Sequence, residues 1–541
     1  MRRKGGPVIE AYTVEQIRAV EAIALDRDGD AALMRRASFA VAAEVADRVP
    51  FPHPGRRVVL LVGAGNNGGD ALHAGAFLRR RGMSVAAVLL NPARSHAGGL
   101  AALRRAGGRV LPHDDPAVRF AIRHADVIVD GIVGIGANPP LRADAAELVG
   151  DANATAALRV AVDLPSGIEP DTGRVRGVAF LADVTVTFGG IKVGLLIADQ
   201  QAGVVVNVPI GMDMTGRPAE VIAMTDGSLR QMLPPPAPGA DKYSGGLVGI
   251  VAGSTGYPGA AVLCAGGAVR TRPGMVRYAG PQAAAVVARW PEVVAADSPA
   301  DAGKVQAWVI GPGMGTEGQA ITLVRWVLGQ DVPVLVDADG LTVLAGMPSL
   351  LQTRRRAGQP TVLTPHDREF ARLFPDIELD DRLAAVRRAA WVSGATVLLK
   401  GHRTLIADPG GQAAVNLSGS SWLASAGTGD VLSGVVGSLL AAGLPPLLAA
   451  GAGAFLHGRA GQRAQQTGRF GAHELWDHLQ VAPDPAGPKT VVEALGLVAT
   501  PPADATAAEP PPPAQQPATP RAVDPLERFG DFNDNAFNPF R

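Results

Sequence analysis

Short β-branched runs alternate along this sequence with glycine-rich turns and helix-length segments, and they do so in two separate series. The first series places strands at Arg57–Val62, Val85–Leu90, Val127–Asp130, Val160–Asp163, Val184–Phe188 and Val204–Val208. The second places them at Leu247–Ala252, Trp308–Ile310, Val334–Asp337, Thr361–Leu363 and Thr396–Leu399. Strands separated by helix-length segments pair side by side in the same direction, with helices covering both sheet faces. The expected fold class is therefore α/β, with two three-layer αβα domains. Between the series lies Leu233-Pro234-Pro235-Pro236-Ala237-Pro238-Gly239, which sustains neither a helix nor a central strand. The chain thus divides into a first domain over 8–226, a Pro-rich linker over 227–239, a second domain over 240–479 and a tail over 480–541. The tail, rich in Pro and Ala, is expected to be disordered.

Composition agrees with this layering and removes several function classes. A chain of 541 residues, 47% of them apolar, exceeds one ordinary hydrophobic core and readily builds two. Lys plus Arg and Asp plus Glu each number 50, so there is no basic footprint for nucleic acid or an anionic membrane. The basic residues 1–7 lead into Val8-Ile9-Glu10 rather than an apolar stretch, and no signal peptide is expected. The Ala/Gly-rich stretch Val431–Leu448 is broken by glycines and by Pro445-Pro446, so no membrane span is expected either. The one cysteine, Cys264, excludes an intrachain disulfide and fits a reducing cytoplasm.

The loop Gly63-Ala64-Gly65-Asn66-Asn67-Gly68-Gly69-Asp70 joins the first strand to a helix that runs through Ala76–Arg79 and stops at Gly82. Glycines there let backbone N–H groups turn toward an anion at the helix N-terminus, although the spacing is not G-x-G-x-x-G. Asn66, Asn67 and Asp70 add oxygens and amides suited to a cation and to ribose hydroxyls. Two later strand ends are polar in the same way, one from Asp130 through Gly134 and Gly136, the other from Asp163 through Ser166. Ligands of open parallel sheets collect at the carboxyl ends of strands, so Asn67, Asp130, Asp163 and Ser166 are expected to build one oxygen-rich pocket. Each Asp taken singly is more often a helix cap or turn residue; together they favour a site.

The ordered motifs N-N-G-G-D, D-G-x-x-G-x-G and D-x-P-S-G-I resemble the NAD(P)H-hydrate epimerase family over nearly all of the first 220 residues. The resemblance implies a Rossmann-like parallel sheet and potassium ligands at Asn67, Asp130 and Ser166. It also implies hydrate binding at Asn66, Asn67, Gly68, Gly69 and Asp70, and at Gly134 and Gly136 within Gly134–Pro140. Asp163 becomes the candidate for proton transfer at the hydroxylated ring carbon. Hard oxygen ligands are what an alkali cation requires. Ala71 stands where that family usually carries glycine, and Ile135 replaces a common threonine.

In the second series, Ser425-Ala426-Gly427-Thr428-Gly429-Asp430 opens directly into a helix expected over Val431–Ala442. Backbone amides at such a helix start suit a transferring phosphoryl group, and Asp430 suits a base that accepts the proton of the attacking hydroxyl. Gly-Asp at a helix start is also an ordinary cap. The three small residues and the continuation Ser433-Gly434 favour the site. No G-x-x-x-x-G-K-[ST] occurs, which excludes Walker-type phosphate binding.

This loop resembles the G-x-G-D anion hole of the ribokinase-like superfamily. Gly311-Pro312-Gly313-Met314-Gly315, Val334–Leu341, Thr364-Pro365-His366 continuing to Glu369, and Lys400-Gly401-His402-Arg403-Thr404 accompany it in order. With Lys242-Tyr243 at the start, the set resembles ADP/ATP-dependent NAD(P)H-hydrate dehydratase over about residues 230–465. The resemblance implies a ribokinase-like domain in which Lys400, Gly401, His402, Arg403, Thr404 and Gly429 hold an adenine nucleotide. Ala261, Gly313, His366 and Asp430 would line the hydrate pocket. His366 taken alone reads as a surface or capping histidine.

Together the two resemblances imply repair of hydrated NADH and NADPH. The hydrate epimers interconvert in the first domain, and the S hydrate is phosphorylated and loses phosphate in the second. The implied cofactors are ADP (or ATP, which spacing does not separate), Mg2+ and K+; the partners are small-molecule hydrates, with no nucleic acid and no membrane. Dehydratases of this kind often form homo-oligomers, but the sequence carries no interface signature. The alternative is a ribokinase-like kinase of a hydroxylated vitamin precursor, with the first domain a non-catalytic ligand-binding module.

Overall fold

The computed structural model of the protein describes residues 8–136, 139–233, 239, 241–243, 245–271 and 274–480. Pro234–Pro238 of the expected linker, Ala137-Asn138 of the Gly134–Pro140 loop, and the expected tail beyond Gln480 lie outside the described residues.

A seven-stranded sheet carries the first site. Its order is Arg109–Pro112, Ser84–Leu89, Arg57–Val62, Val127–Gly131, Leu158–Val162, Val184–Phe188 and Val204–Val208. Every neighbouring pair is parallel. Its central strands are continuous apolar runs because both faces are covered. Asp30–Arg48 and Asn66–Arg80 pack on one face, while Ala117–Arg123 and Ala143–Asn153 pack on the other. The six expected strands fall within two residues of these bounds. The helix after the first loop starts at Asn66, so the N-N-G-G-D motif is its first turn rather than a loop before it.

A twelve-stranded sheet carries the second site. From one edge it runs Val294–Ala296, Met275–Ala279, Leu247–Val251, Ala307–Ile310, Val334–Val336, Thr361–Leu363, Thr396–Leu399, Leu405–Ala407 and Ala413–Val415. It then continues through three strands from the first 230 residues. Val221–Met224 lies parallel to Ala413–Val415, with Ala223 opposite Val415. Val8–Tyr12 runs antiparallel to Val221–Met224, and Ile191–Lys192 closes the edge with Lys192 opposite Tyr12. The first and last strands of the N-terminal half are thus built into the sheet of the C-terminal half. The stretch expected as linker over 227–239 begins with a helix, Asp226–Met232, which Thr225 and Ser228 close with a capping box.

Two helices of the second half, Pro258–Thr271 and Thr428–Ala441, touch backbone to backbone. A Cβ on Gly267 would stand 2.2 Å from the Val431 carbonyl oxygen, and one on Gly434 would stand 2.0 Å from that of Cys264. Only glycine permits this approach, and it fixes where the second helix begins. That helix starts at Thr428, so Asp430 sits inside its first turn. No described helix is long and apolar enough to cross a membrane.

Candidate active sites

The carboxyl ends of the seven-stranded sheet open onto a cavity of about 480 Å³, lined by Asn66, Asn67, Asp70, Gly134, Gly136 and Asp163. The expected residues Gly68 and Gly69 are buried in the helix turn behind it. Asp163 Oδ1 accepts hydrogen bonds from Lys192 Nζ (2.5 Å), Thr187 Oγ1 (3.2 Å) and the Phe188 amide (3.4 Å). Lys192 is buried and also donates to Thr187 Oγ1 (2.9 Å) and the Phe188 carbonyl (3.1 Å), so all three of its protons are engaged. Asp163 Oδ2 has no hydrogen bond among the described residues. It lies 3.1 Å from where a Cβ on Gly134 would stand, and Asn67 Oδ1 lies 3.0 Å from the same point.

Three more carboxyl groups share this wall: Glu21, Asp30 and Asp70. Burial raises the Asp70 carboxyl well above the ordinary carboxylate range, Ser38 Oγ opposes this with a hydrogen bond at 3.2 Å, and the negative neighbours Asp163, Asp30 and Glu21 add to it. Burial, then Asp163, also raises Glu21. Asp163, paired with Lys192, therefore stands beside two carboxyl groups, Asp70 and Glu21, that hold a proton more readily than usual. Carboxyl groups raised by burial beside a lysine-paired one are a basis for acid–base chemistry.

Asp130 and Ser166 meet in the corner beneath. Asp130 is fully buried; Oδ2 accepts from the Ser166 amide (2.7 Å), and Oδ1 from Ser166 Oγ (2.8 Å) and the Ile132 amide (3.1 Å). Burial pushes its carboxyl up to about 6 against these bonds. No cationic side chain pairs with it among the described residues. The Val133 amide donates to Ser166 Oγ at 3.2 Å, which ties this corner to Gly134 and so to Asn67. The buried Asn67 Nδ2 has no acceptor among the described residues. Oxygen-only donors around an uncompensated buried carboxylate fit a potassium ion. The Ala71 side chain points away, into the core; a Cβ on Gly131 would stand 2.5 Å from its methyl group. Ile135 does line the cavity.

In the second half, Asp337 organises the site. It is buried, with Oδ1 accepting from Lys400 Nζ (2.8 Å) and Oδ2 from Ser433 Oγ (2.6 Å). Lys400 Nζ also lies 3.6 Å from Glu369 Oε2. Burial alone would lower the Lys400 ammonium, but Asp337, Glu369 and Asp430 reverse this and raise it. Asp430 has no hydrogen bond or ion pair from its side chain among the described residues: burial, then the Asp337 charge, pushes it up to about 7, with Lys400 opposing and Asp339 adding. A Cβ on Gly429 would stand 3.7 Å from Lys400 Nζ, so the helix start and the ammonium share one space. His457 lies buried behind them, lowered to about 4 by burial and therefore neutral.

The remaining expected residues divide. His366 caps the helix Asp367–Leu373, its Nδ1 accepting from the Arg368 and Glu369 amides (3.1 and 3.2 Å), while Glu369 Oε2 accepts from the His366 amide at 2.8 Å. That capping carboxylate is the one beside Lys400, so His366 stands next to the site. Ala261 is buried, and Gly313 packs against Ala260 and Tyr257 in the preceding turn. Lys400 of the expected nucleotide segment points at Asp337, whereas His402 Nε2 and Arg403 turn to Asp199, at 3.0 and 2.7 Å. Thr404 Oγ1 donates to the Gly401 carbonyl at 3.4 Å, closing the loop on itself.

Among the described residues, three non-glycine positions have positive φ: Asp163 (67°), Ile210 (42°) and Ala338 (49°). Asp163 and Ile210 line the cavity, and Ala338 sits between Asp337 and Asp339. Strained backbone of this kind collects at functional sites. Lys192, Glu21 and Asp337 had no role in the sequence reading; their signal is a charge at a position that only the tertiary fold buries.

Family models match both halves: residues 30–194 match the YjeF-related protein N-terminus, and residues 248–480 match NAD(P)H-hydrate dehydratase. The bifunctional NAD(P)H-hydrate repair enzyme Nnr of Mycobacterium tuberculosis (strain ATCC 25618 / H37Rv) is 50% identical over 428 residues, which is 79% of this chain and 88% of the relative. Its namesake from Gloeobacter violaceus is 39% identical over 469 residues, covering 80% and 88%. A solved ADP/ATP-dependent NAD(P)H-hydrate dehydratase from Bacillus subtilis, co-crystallized with ATP/Mg2+, matches at 27% identity and a TM-score of 0.41, over 47% of this chain and 95% of its own. At half identity over most of both chains, the protein belongs to the family of bifunctional NAD(P)H-hydrate repair enzymes.

Proposed function

We propose that the cavity bearing Asp163 interconverts the R and S hydrates of NADH and NADPH, and that the site around Asp430 dehydrates the S hydrate using the terminal phosphoryl group of ADP or ATP. The observation that carries this is Asp430 itself. It is a carboxyl group poised near neutrality, in the first turn of a helix whose free backbone amides suit a phosphoryl group, with Lys400 beside it.

Hydration leaves a hydroxyl on the ring carbon bonded to nitrogen, and hydroxide leaves poorly. Asp430 accepts the hydroxyl proton while the oxygen attacks the terminal phosphorus, and the phosphorus–oxygen bond to the nucleotide breaks. The ring nitrogen lone pair then expels phosphate, which departs with the electrons of the carbon–oxygen bond. Loss of a proton from the neighbouring carbon restores the double bond. The amides of Gly427 and Gly429 and the Lys400 ammonium take up the charge on the transferring group, while the Thr428 amide is held by the Ser425 carbonyl. Magnesium on the nucleotide phosphates would neutralise their charge, and Asp339, whose Oδ1 accepts no hydrogen bond among the described residues, has an oxygen free to hold it.

In the first site, the lysine-paired Asp163 acts as base through its free Oδ2. Removing the hydroxyl proton turns the carbon–oxygen bond into a carbonyl and breaks the ring carbon–nitrogen bond. The nitrogen takes a proton from a neighbouring carboxyl group, for which Glu21, raised by burial and by Asp163, is suited. Rotation presents the other carbonyl face, the nitrogen adds back, and both protons return. Four carboxyl groups disfavour phosphates deep in the cavity, which leaves the phosphates to the backbone amides of Asn66 and Asn67 at its rim, where the helix begins. Potassium among Asn67, Asp130 and Ser166 would brace the two loops that shape this cavity.

The test is return of NADH absorbance from a mixture of R and S hydrates, run in parallel with ADP and with ATP. The wild type should restore the whole mixture, Asp163→Asn only its S share at the catalysed rate, and Asp430→Asn neither. A stable phosphorylated product without NADH would instead establish a kinase. Unchanged interconversion in Asp163→Asn would remove that residue from the mechanism.

A further inference from the structure

One short segment of the N-terminal half reaches both sites. Lys192 at its start is bonded to Asp163, and Asp199 lies seven residues on, at the start of the turn Asp199–Ala202. Asp199 Oδ2 lies 2.7 Å from an Arg403 guanidinium nitrogen and 3.0 Å from His402 Nε2. These two residues form the tip of the loop Lys400–Thr404.

The base of that loop is held by its own half. The Lys400 amide donates to the Pro365 carbonyl (2.8 Å), Arg382 donates to the Lys400 carbonyl (3.0 Å), and the Asn416 amide donates to the Thr404 carbonyl (2.9 Å). The side chains at the tip have no such support. Among the described residues Asp199 is the one ionic partner of Arg403, whose side chain is only 16% exposed and whose buried Nε has no acceptor. Burial lowers the Arg403 guanidinium, and Asp199 opposes this. A half-buried guanidinium compensated by one carboxylate takes its position from that carboxylate.

We propose that Asp199 is a positioning residue for the nucleotide loop: the N-terminal half supplies the carboxylate that holds Arg403 and His402 where the C-terminal half binds its nucleotide. This rests on the reading of Lys400–Thr404 as the nucleotide grip. Asp199 acts through Arg403 and His402, so its loss acts on nucleotide affinity rather than on the chemical step.

The experiment compares the full-length wild type with Asp199→Ala, Asp199→Glu and the double variant His402→Ala/Arg403→Ala, measuring KM for ADP, kcat of dehydration and the rate of epimer interconversion. Asp199→Ala should raise KM for ADP about three- to tenfold with kcat within about twofold, as expected for one half-buried charge pair, and Asp199→Glu should recover most of the loss. The interconversion rate, unchanged in all variants, reports that the N-terminal half is folded. An unchanged KM in Asp199→Ala overturns the proposal, and a lowered KM overturns it in the opposite sense, by making Asp199 a competitor of the nucleotide. If the double variant also leaves KM unchanged, the loop does not hold the nucleotide and that prior reading fails; if the double variant alone raises KM, only the positioning role fails.

Discussion

Replacing Asp430 by asparagine should stabilise the protein at alkaline pH while abolishing dehydration. In the folded chain burial, the Asp337 charge and Asp339 push this carboxyl from its ordinary value of 3.8 up to about 7, with Lys400 opposing. In the unfolded chain it returns to about 3.9. Between those values the folded state binds more protons than the unfolded state, so stability falls as pH rises through the window and is flat above about 7. At 1.36 kcal/mol per pH unit, ionised Asp430 costs the fold about 4 kcal/mol above neutrality and about 2 kcal/mol at pH 5.5. Asparagine keeps the shape without the charge. Urea unfolding of both proteins at about pH 5.5 and about pH 8.5 should show the variant gaining about 2 kcal/mol on the wild type between the two. Wild-type kcat/KM for dehydration should rise about tenfold per pH unit below about 7 and level off above it, because the base must be ionised. A variant no more stable than the wild type at about pH 8.5, or a flat activity profile across this range, would refute the assignment of Asp430 as a buried base.

Lys192→Met leaves the Asp163 carboxylate without its cation, and breaking a buried pair of this kind costs about 3–5 kcal/mol. Denaturant unfolding should show that loss, epimer interconversion should disappear, and adding Asp163→Asn should restore part of the stability without the activity. Gly134→Ala places a methyl group 3.0 Å from Asn67 Oδ1 and 3.1 Å from Asp163 Oδ2, tighter than ordinary contact. Displacing the base by a few tenths of an ångström should slow interconversion about tenfold or more, with a stability change of about 1 kcal/mol, and dehydration of purified S hydrate should be unaffected.

The parts legible in the sequence were those whose signal is local. Arg57–Val62 followed by Gly63–Gly65 is recognisable as a strand entering a phosphate-type turn because period, glycine and helix start lie within a dozen residues. The same holds for Ser425–Asp430 before its helix. The charges that tune each site were not legible. Glu21 sits on the helix Val14–Asp28, far in sequence from Asp163, and its apolar neighbours give no sign that it faces a cavity. Lys192 in Gly189-Gly190-Ile191-Lys192 reads as an ordinary surface lysine until the fold closes over it. Val8–Tyr12 and Val221–Met224 have strand-like composition, but no periodicity tells a strand which sheet it joins. Three-residue strands such as Leu405–Ala407 are too short to show a period at all.

The sheet pairing explains why the two activities share one chain more firmly than a flexible linker would require. Ala413–Val415, which follows the Lys400–Thr404 loop and one intervening strand, would be the open edge of the C-terminal sheet if that half stood alone. Open edges are liabilities that proteins cover. Here Val221–Met224 covers it, Val8–Tyr12 covers that strand in turn, and Ile191–Lys192 closes the row. The residue at the end of this row is Lys192, which pairs with the proposed base of the other site. The strand that finishes the C-terminal sheet therefore also delivers the cation of the N-terminal cavity, and the next turn along delivers Asp199 to the nucleotide loop. Ile191–Ala202 thus contributes one charged side chain to each half, Lys192 to the Asp163 cavity and Asp199 to the Lys400–Thr404 loop, and that placement depends on the pairing of Ile191–Lys192 with Val8–Tyr12.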